Sequence, residues 1–163
     1  MITATTNAKT QETTVGMGQI ATGGSPQQMK AIVGSCIALA LHHPRLKKGV
    51  LAHIVLPDSA GRSGAPGKFA DTAVPKMLEW FRECGAPVHG LTAKLAGGAN
   101  MFASTGPLQI GNANVEAVAQ ALKNAGIRIA AQDTGGTCGR RVTFCCAGGE
   151  LIVESAGQPP KTL

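Results

Sequence analysis

The sequence predicts one mixed α/β domain, and three observations predict it. Apolar runs of strand length alternate with two amphipathic helical stripes, in the order strands, helix, strand, helix, strands. Hydrophobic residues make up 44% and charged residues 15% of the 163, the balance of a chain that buries a core. No internal repeat and no linker divides the chain, so a single domain is expected over residues 15–156. With 22 glycines and 3% aromatics, its core is expected to be Ala, Val, Ile and Leu closed by tight turns.

Residues 1–14 are polar and threonine-rich and read as a disordered lead-in. Residues 36–42 and 49–56 are apolar and strand-length. The turn Pro44-Arg-Leu-Lys-Lys48 lies between them, so they read as an antiparallel hairpin. Residues 57–67, dense in Gly, Pro, Asp and Ser, are loop. Ala70, Ala73, Val74, Met77, Leu78 and Phe81 then form one apolar stripe at helical spacing. Asp71 is the expected cap and Gly85 the stop, while Pro75 predicts that the regular helix begins close to it. Residues 91–96 read as a buried strand entering Gly97-Gly98. Val115, Val118, Ala119 and Leu122 mark a second helix that Gly126 terminates. A strand over 127–131, a turn over 133–139 and a closing hairpin of 141–146 with 150–154 follow. Residues 157–163 read as a frayed tail.

A net charge of +6 raises nucleic-acid binding as a function. The basic residues are dispersed and almost no aromatic side chains are available to stack bases. A surface suited to an acidic protein partner is the better reading. No stretch approaches the length of a membrane span, and no apolar signal core follows a basic start. The five cysteines are odd in number, include the adjacent Cys145-Cys146 and form no C-x-x-C. Free thiols in the cytoplasm explain them better than a disulfide framework. No metal site is expected, because His42 and His43 are adjacent and point to opposite strand faces. Gly61 to Phe69 fails as a phosphate loop: one residue too many separates the glycines, and Phe69 stands where Ser or Thr belongs.

The pair that carries chemistry is Cys36 with His53. A hairpin turn centred between Arg45 and Leu46 sets His53 opposite Ala38. Cys36 then lies one diagonal step away on the same face, roughly 7–8 Å off at Cα and nearer at the side-chain tips. A thiol and an imidazole so placed can meet, as an activated nucleophile requires. A register slip of one residue separates them onto opposite faces. Gly34-Ser35, at the mouth of the strand, permits a sharp backbone approach with N–H groups facing a developing oxyanion. Taken alone, these residue types favour a packed thiol and a hydrogen-bonded core histidine.

Four blocks shift that balance: Gly34-Ser-Cys36, Ala52-His-Ile-Val-Leu-Pro-Asp-Ser59, Lys68-Phe-Ala-Asp-Thr-Ala73 and Ala93-Lys-Leu-Ala-Gly-Gly-Ala-Asn-Met-Phe102. Ile110-Gly111 with Asn114, and Asp133-Thr-Gly-Gly136 with Gly139-Arg140, follow in the same order. Together they closely resemble the chemoreceptor glutamine deamidases, the CheD family. The resemblance implies an α/β sandwich similar to the deamidase domain of cytotoxic necrotizing toxins. It implies hydrolysis of receptor glutamines to glutamate and ammonia, with Cys36 as nucleophile, His53 as its base and no cofactor. It implies methyl-accepting chemotaxis receptors and a CheC-type phosphatase as partners. Phe102 is a candidate receptor contact, with core packing as its default role. Two departures stand out. The family threonine five or six residues before the cysteine is replaced by Ala31 or Lys30, and Ala113 stands where the family has arginine. A lysine at position 30 that pointed inward would lower the thiol pKa. The alternative use of the same fold is a docking module with weakened catalysis, binding receptors or the phosphatase.

Overall fold

A computed structural model describes residues 10–101 and 109–163. The predicted hairpin is its centre. Strands β4 (Ile37–His43) and β5 (Lys48–Ile54) pair antiparallel, with Ala38 opposite His53. Every residue of β4 is buried, as expected of a strand covered on both faces. Strand β2 (Ile20–Gly24) joins the free edge of β5, and β6 (Thr92–Gly97) joins β4. Strand β7 (Arg128–Thr134) adds parallel to β6, completing the sheet order β2-β5-β4-β6-β7.

One face of this sheet carries the helices α1 (Ala70–Glu83) and α2 (Ile110–Ala125). Leu39, Leu41, Val50, Ala52 and Ile54 meet the α1 stripe there. Met77 and Phe81 are wholly buried in that layer, each contributing roughly 1.5–3 kcal/mol of transfer free energy. The other face meets a second sheet. Its strands are β1 (Glu12–Thr14), β3 (Gln28–Val33), β8 (Arg140–Cys145), β9 (Leu151–Glu154) and β10 (Lys161–Thr162). They lie in the order β1-β3-β8-β9-β10, with β1 and β3 parallel and the others antiparallel. The molecule therefore has three layers, helices on sheet on sheet, and both sheets are mixed. Ala38, Ala40 and Ala96 meet Val33, Val142, Phe144 and Val153 between the sheets. Among the described residues no helix is long and apolar enough to cross a membrane.

Four expectations are corrected. Residues 12–14 of the supposed lead-in form β1, paired with β3. The supposed frayed tail contains β10, and Leu163 exchanges two backbone hydrogen bonds with Leu151 (2.9 and 3.2 Å). Helix α1 begins at Ala70, well before Pro75. The proline lies on its exposed face, so the Asp71 carbonyl it leaves unpaired meets water. Asp71 caps nothing; its carboxylate accepts the Ser59 N–H (2.9 Å) and hydroxyl (2.7 Å) and ties the 57–67 loop to α1.

Candidate active site

Residues alternate across β5, so Val50, Ala52 and Ile54 face the helices while Leu51 and His53 face the second sheet. Cys36, one residue before β4, belongs to the apolar cluster between the sheets together with Ala38. Cys36 and His53 thus share a face, one diagonal step apart in the observed register. Both are nearly enclosed, Cys36 at 8% exposure and His53 at 4%.

His53 is fixed by a segment that sequence reasoning left unassigned. Its Nδ1 lies 3.0 Å from the Val15 carbonyl oxygen. A carbonyl only accepts, so the ring proton sits on Nδ1 and the Nε2 lone pair is left free. Val15 is held in turn, its N–H donating to the Lys30 carbonyl at 2.7 Å. The turn beyond it grips the His53 backbone: Gly18 N–H donates to the His53 carbonyl (2.9 Å), and His53 N–H donates to Gln19 (3.0 Å).

The Cys36 loop is pinned through its carbonyls. Gly34 O accepts Ala99 N–H at 2.9 Å, and Cys36 O accepts Gly98 N–H at 2.9 Å. Ser35 O accepts from the Asn114 side-chain amide, also at 2.9 Å. The turn that approaches so closely needs glycine. Gly97 has φ +116°, and any Cβ there would strike the Cys36 carbonyl oxygen. Among the described residues the N–H groups of Ser35 and Cys36 donate to no backbone carbonyl, and the Cys36 N–H is turned to its own sulfur. Burial pushes the Cys36 thiol up from its ordinary range, and its own N–H draws it partly back.

The two family-threonine positions are also placed. Lys30 Nζ pairs with Glu12 at 3.0 Å on the exposed side of β3, so it does not reach the thiol. Ala31 is buried between the sheets with no hydroxyl to offer. At His53, the contact available in this chain is the Val15 carbonyl. Nothing in the structure explains Ala113. Phe102 lies outside the described residues. His42 and His43 do turn to opposite faces, His42 edge-on to Phe144 and His43 against Gly90. Among the described residues no three His, Cys, Asp or Glu side chains gather as metal ligands. Val15 and Asn114 are the residues that sequence reasoning gave no role. Asn114 stood in a matched block, whereas Val15 acts through its backbone and left no side-chain signal.

Fold and site together define a three-layer α/β domain with a thiol and an imidazole on one strand pair between two sheets. Residues 55–155 match the family model described as CheD chemotactic sensory transduction, a span that begins just after His53. The chain is 44% identical to the chemoreceptor glutamine deamidase CheD of Thermotoga maritima, covering 88% of this chain and 91% of that one. It is 42% identical to a probable chemoreceptor glutamine deamidase CheD of Methanococcus vannielii, covering 88% and 95%. A relative of the same description from Desulforamulus reducens is 38% identical over 93% of this chain and 95% of its own. The chain belongs to the CheD family.

Proposed function

We propose that the protein is a protein-glutamine glutaminase, hydrolysing particular glutamine side chains of chemotaxis receptors to glutamate and ammonia. The relatives' names supply the substrate class. The observation that carries the chemistry is the hydrogen bond from His53 Nδ1 to Val15 O, which leaves a basic Nε2 on the face shared with Cys36.

The buried thiol rests protonated at neutral pH, because burial pushes it up. His53 Nε2 takes its proton as the sulfur attacks the carboxamide carbon. The oxygen of the tetrahedral adduct gains negative charge, and the N–H groups of Ser35 and Cys36, which donate to no backbone carbonyl among the described residues, are assigned to receive it. Protonated His53 gives its proton to the departing nitrogen, and ammonia leaves a thioester on Cys36. Water, deprotonated by the same Nε2, breaks the C–S bond and frees glutamate and the thiol. The Val15 carbonyl keeps one tautomer and one ring orientation throughout. Fold kinship with the deamidase domain of cytotoxic necrotizing toxins, a cytoplasmic location and a CheC-type phosphatase as second partner belong to the same reading.

The test is mass spectrometry of a receptor cytoplasmic fragment incubated with the protein and, in parallel, with Cys36→Ala. Conversion of glutamine to glutamate that requires Cys36 is expected. No conversion by the folded protein would overturn the proposal in favour of a docking role.

A further inference from the structure

Helix α2 reaches the Cys36 loop through the Asn114 side chain. This side chain is fully buried, and its Nδ2 donates twice, to Ser35 O and to Val55 O, each at 2.9 Å. Two carbonyl acceptors demand both hydrogens of one NH₂ group, so the amide orientation is dictated by its partners. The β4–β5 ladder stops at Ile37 and Ile54. Asn114 bridges the gap just beyond that end, linking the nucleophile loop to the strand end two residues past His53. Gly111, one turn earlier, allows the approach, since a Cβ there would collide with the carbonyl oxygens of Gly98 and Ala99. The remaining atom of the amide, Oδ1, is buried with no partner among the described residues. Such an orphan is costly, so the two donated bonds must outweigh it.

We propose that Asn114 is a positioning residue, holding the Ser35–Cys36 peptide so that the Cys36 N–H faces the reacting carbonyl. The inference rests on the deamidase reading above. A trans peptide is planar, with C=O and N–H pointing in opposite directions. Fixing Ser35 O toward Asn114 therefore aims the Cys36 N–H away from α2, toward the thiol side. Gly34 O and Cys36 O are held by the backbone of the 98–99 turn; Ser35 O alone of the three depends on a side chain. Released, this peptide is free to rotate, and the donor beside the nucleophile loses its direction. The same N–H steadies the thiolate, so its loss also moves the thiol upward.

The test compares the protein with Asn114→Ala in receptor-fragment deamidation and in Cys36 alkylation by iodoacetamide across pH. For a cooperatively folded variant, kcat is expected to fall on the order of 10²-fold with KM changed less than about threefold, the pattern of a lost oxyanion donor. The alkylation profile is expected to move to higher pH, which a merely structural residue would not cause. Should Asn114→Ala fail to fold, Asn114→Ser, which keeps one donor, takes its place. A folded variant with kcat and alkylation profile both unchanged overturns the proposal. So does failure of both variants to fold, which would make the residue structural only. If the unsubstituted protein shows no deamidation, the deamidase reading fails by itself, and the alkylation shift still decides whether Asn114 sets the Cys36 peptide.

Discussion

The space between the two sheets contains a cysteine near a histidine twice, once at each end, and the two ends differ in what they leave free. At the end away from the hairpin turn, His53 binds the Val15 carbonyl through Nδ1. At the hairpin-turn end, His42 binds the Cys146 carbonyl through Nε2 at 2.8 Å, packed edge-on to Phe144 with ring centroids 6.0 Å apart. Burial pushes His42 down, so it stays neutral at pH 7. The Cys146 thiol is fully buried and pushed up to about 11, chiefly by burial and then by Cys145. Cys36 instead sits in a pinned loop where, among the described residues, the N–H groups of Ser35 and Cys36 donate to no backbone carbonyl. Residue types are therefore not what makes a site here. The same two residue types occur at both ends, and the proposed chemistry needs the end at which backbone N–H groups flank the thiol.

The largest expected effect contrasts the two histidines. His53→Ala should lower deamidation by at least about 10³-fold, because base and acid are lost together. His42→Ala should leave the rate per folded molecule within about twofold. It should instead cost about 2–4 kcal/mol of stability in urea unfolding, from a buried ring and its hydrogen bond. Equal losses of activity in the two variants would erase the distinction between the ends.

A smaller effect belongs to the hairpin-turn end alone. The folded-state thiol of Cys146, at about 11, lies above the ordinary thiol value of 9.0. A raised acid favours the folded state while neutral, so its contribution is intact below pH 9 and lost as pH climbs from about 9 to about 11. The stability difference between the protein and Cys146→Ala should shrink across that window, as read by denaturant midpoints. A constant difference would show that the thiol is not sealed.

The smallest effect concerns the missing threonine. Lys30 contributes to the site through its carbonyl, which any residue supplies, and its exposed ion pair is worth at most about 1 kcal/mol. Lys30→Thr should change the deamidation rate less than about threefold. A large gain would mean that a hydroxyl at this position reaches His53 and that the Val15 carbonyl is an incomplete substitute.

The central hairpin was legible in the sequence because its signals are local. Pro44 and the flanking apolar runs set the turn, and the turn sets the register of Ala38 against His53. The second sheet was legible only where a Gly-Gly turn announced β8 and β9. Strand β3 buries Met29, Ala31 and Val33 but exposes Lys30 and Ile32, a pattern too short to stand out. Strands β1 and β10 are exposed along their length, and only their partners make them strands. Within the site, Cys36 and His53 could be named because their side chains carry the chemistry. Val15 could not, because its role lies in a carbonyl every residue has. Asn114 could be seen as part of a block but not given a task, since its two acceptors lie far away along the chain.

The most direct measurement is a trap for the covalent step, run with hydroxylamine in the receptor-fragment reaction. Hydroxylamine captures a thioester by displacing the sulfur, leaving a hydroxamate on the former glutamine. The Cys36–His53 proposal predicts hydroxamate at the same receptor positions that otherwise become glutamate, and none with Cys36→Ala. Glutamate formed at an undiminished rate by Cys36→Ala, with no hydroxamate from either protein, would contradict a cysteine nucleophile at this site.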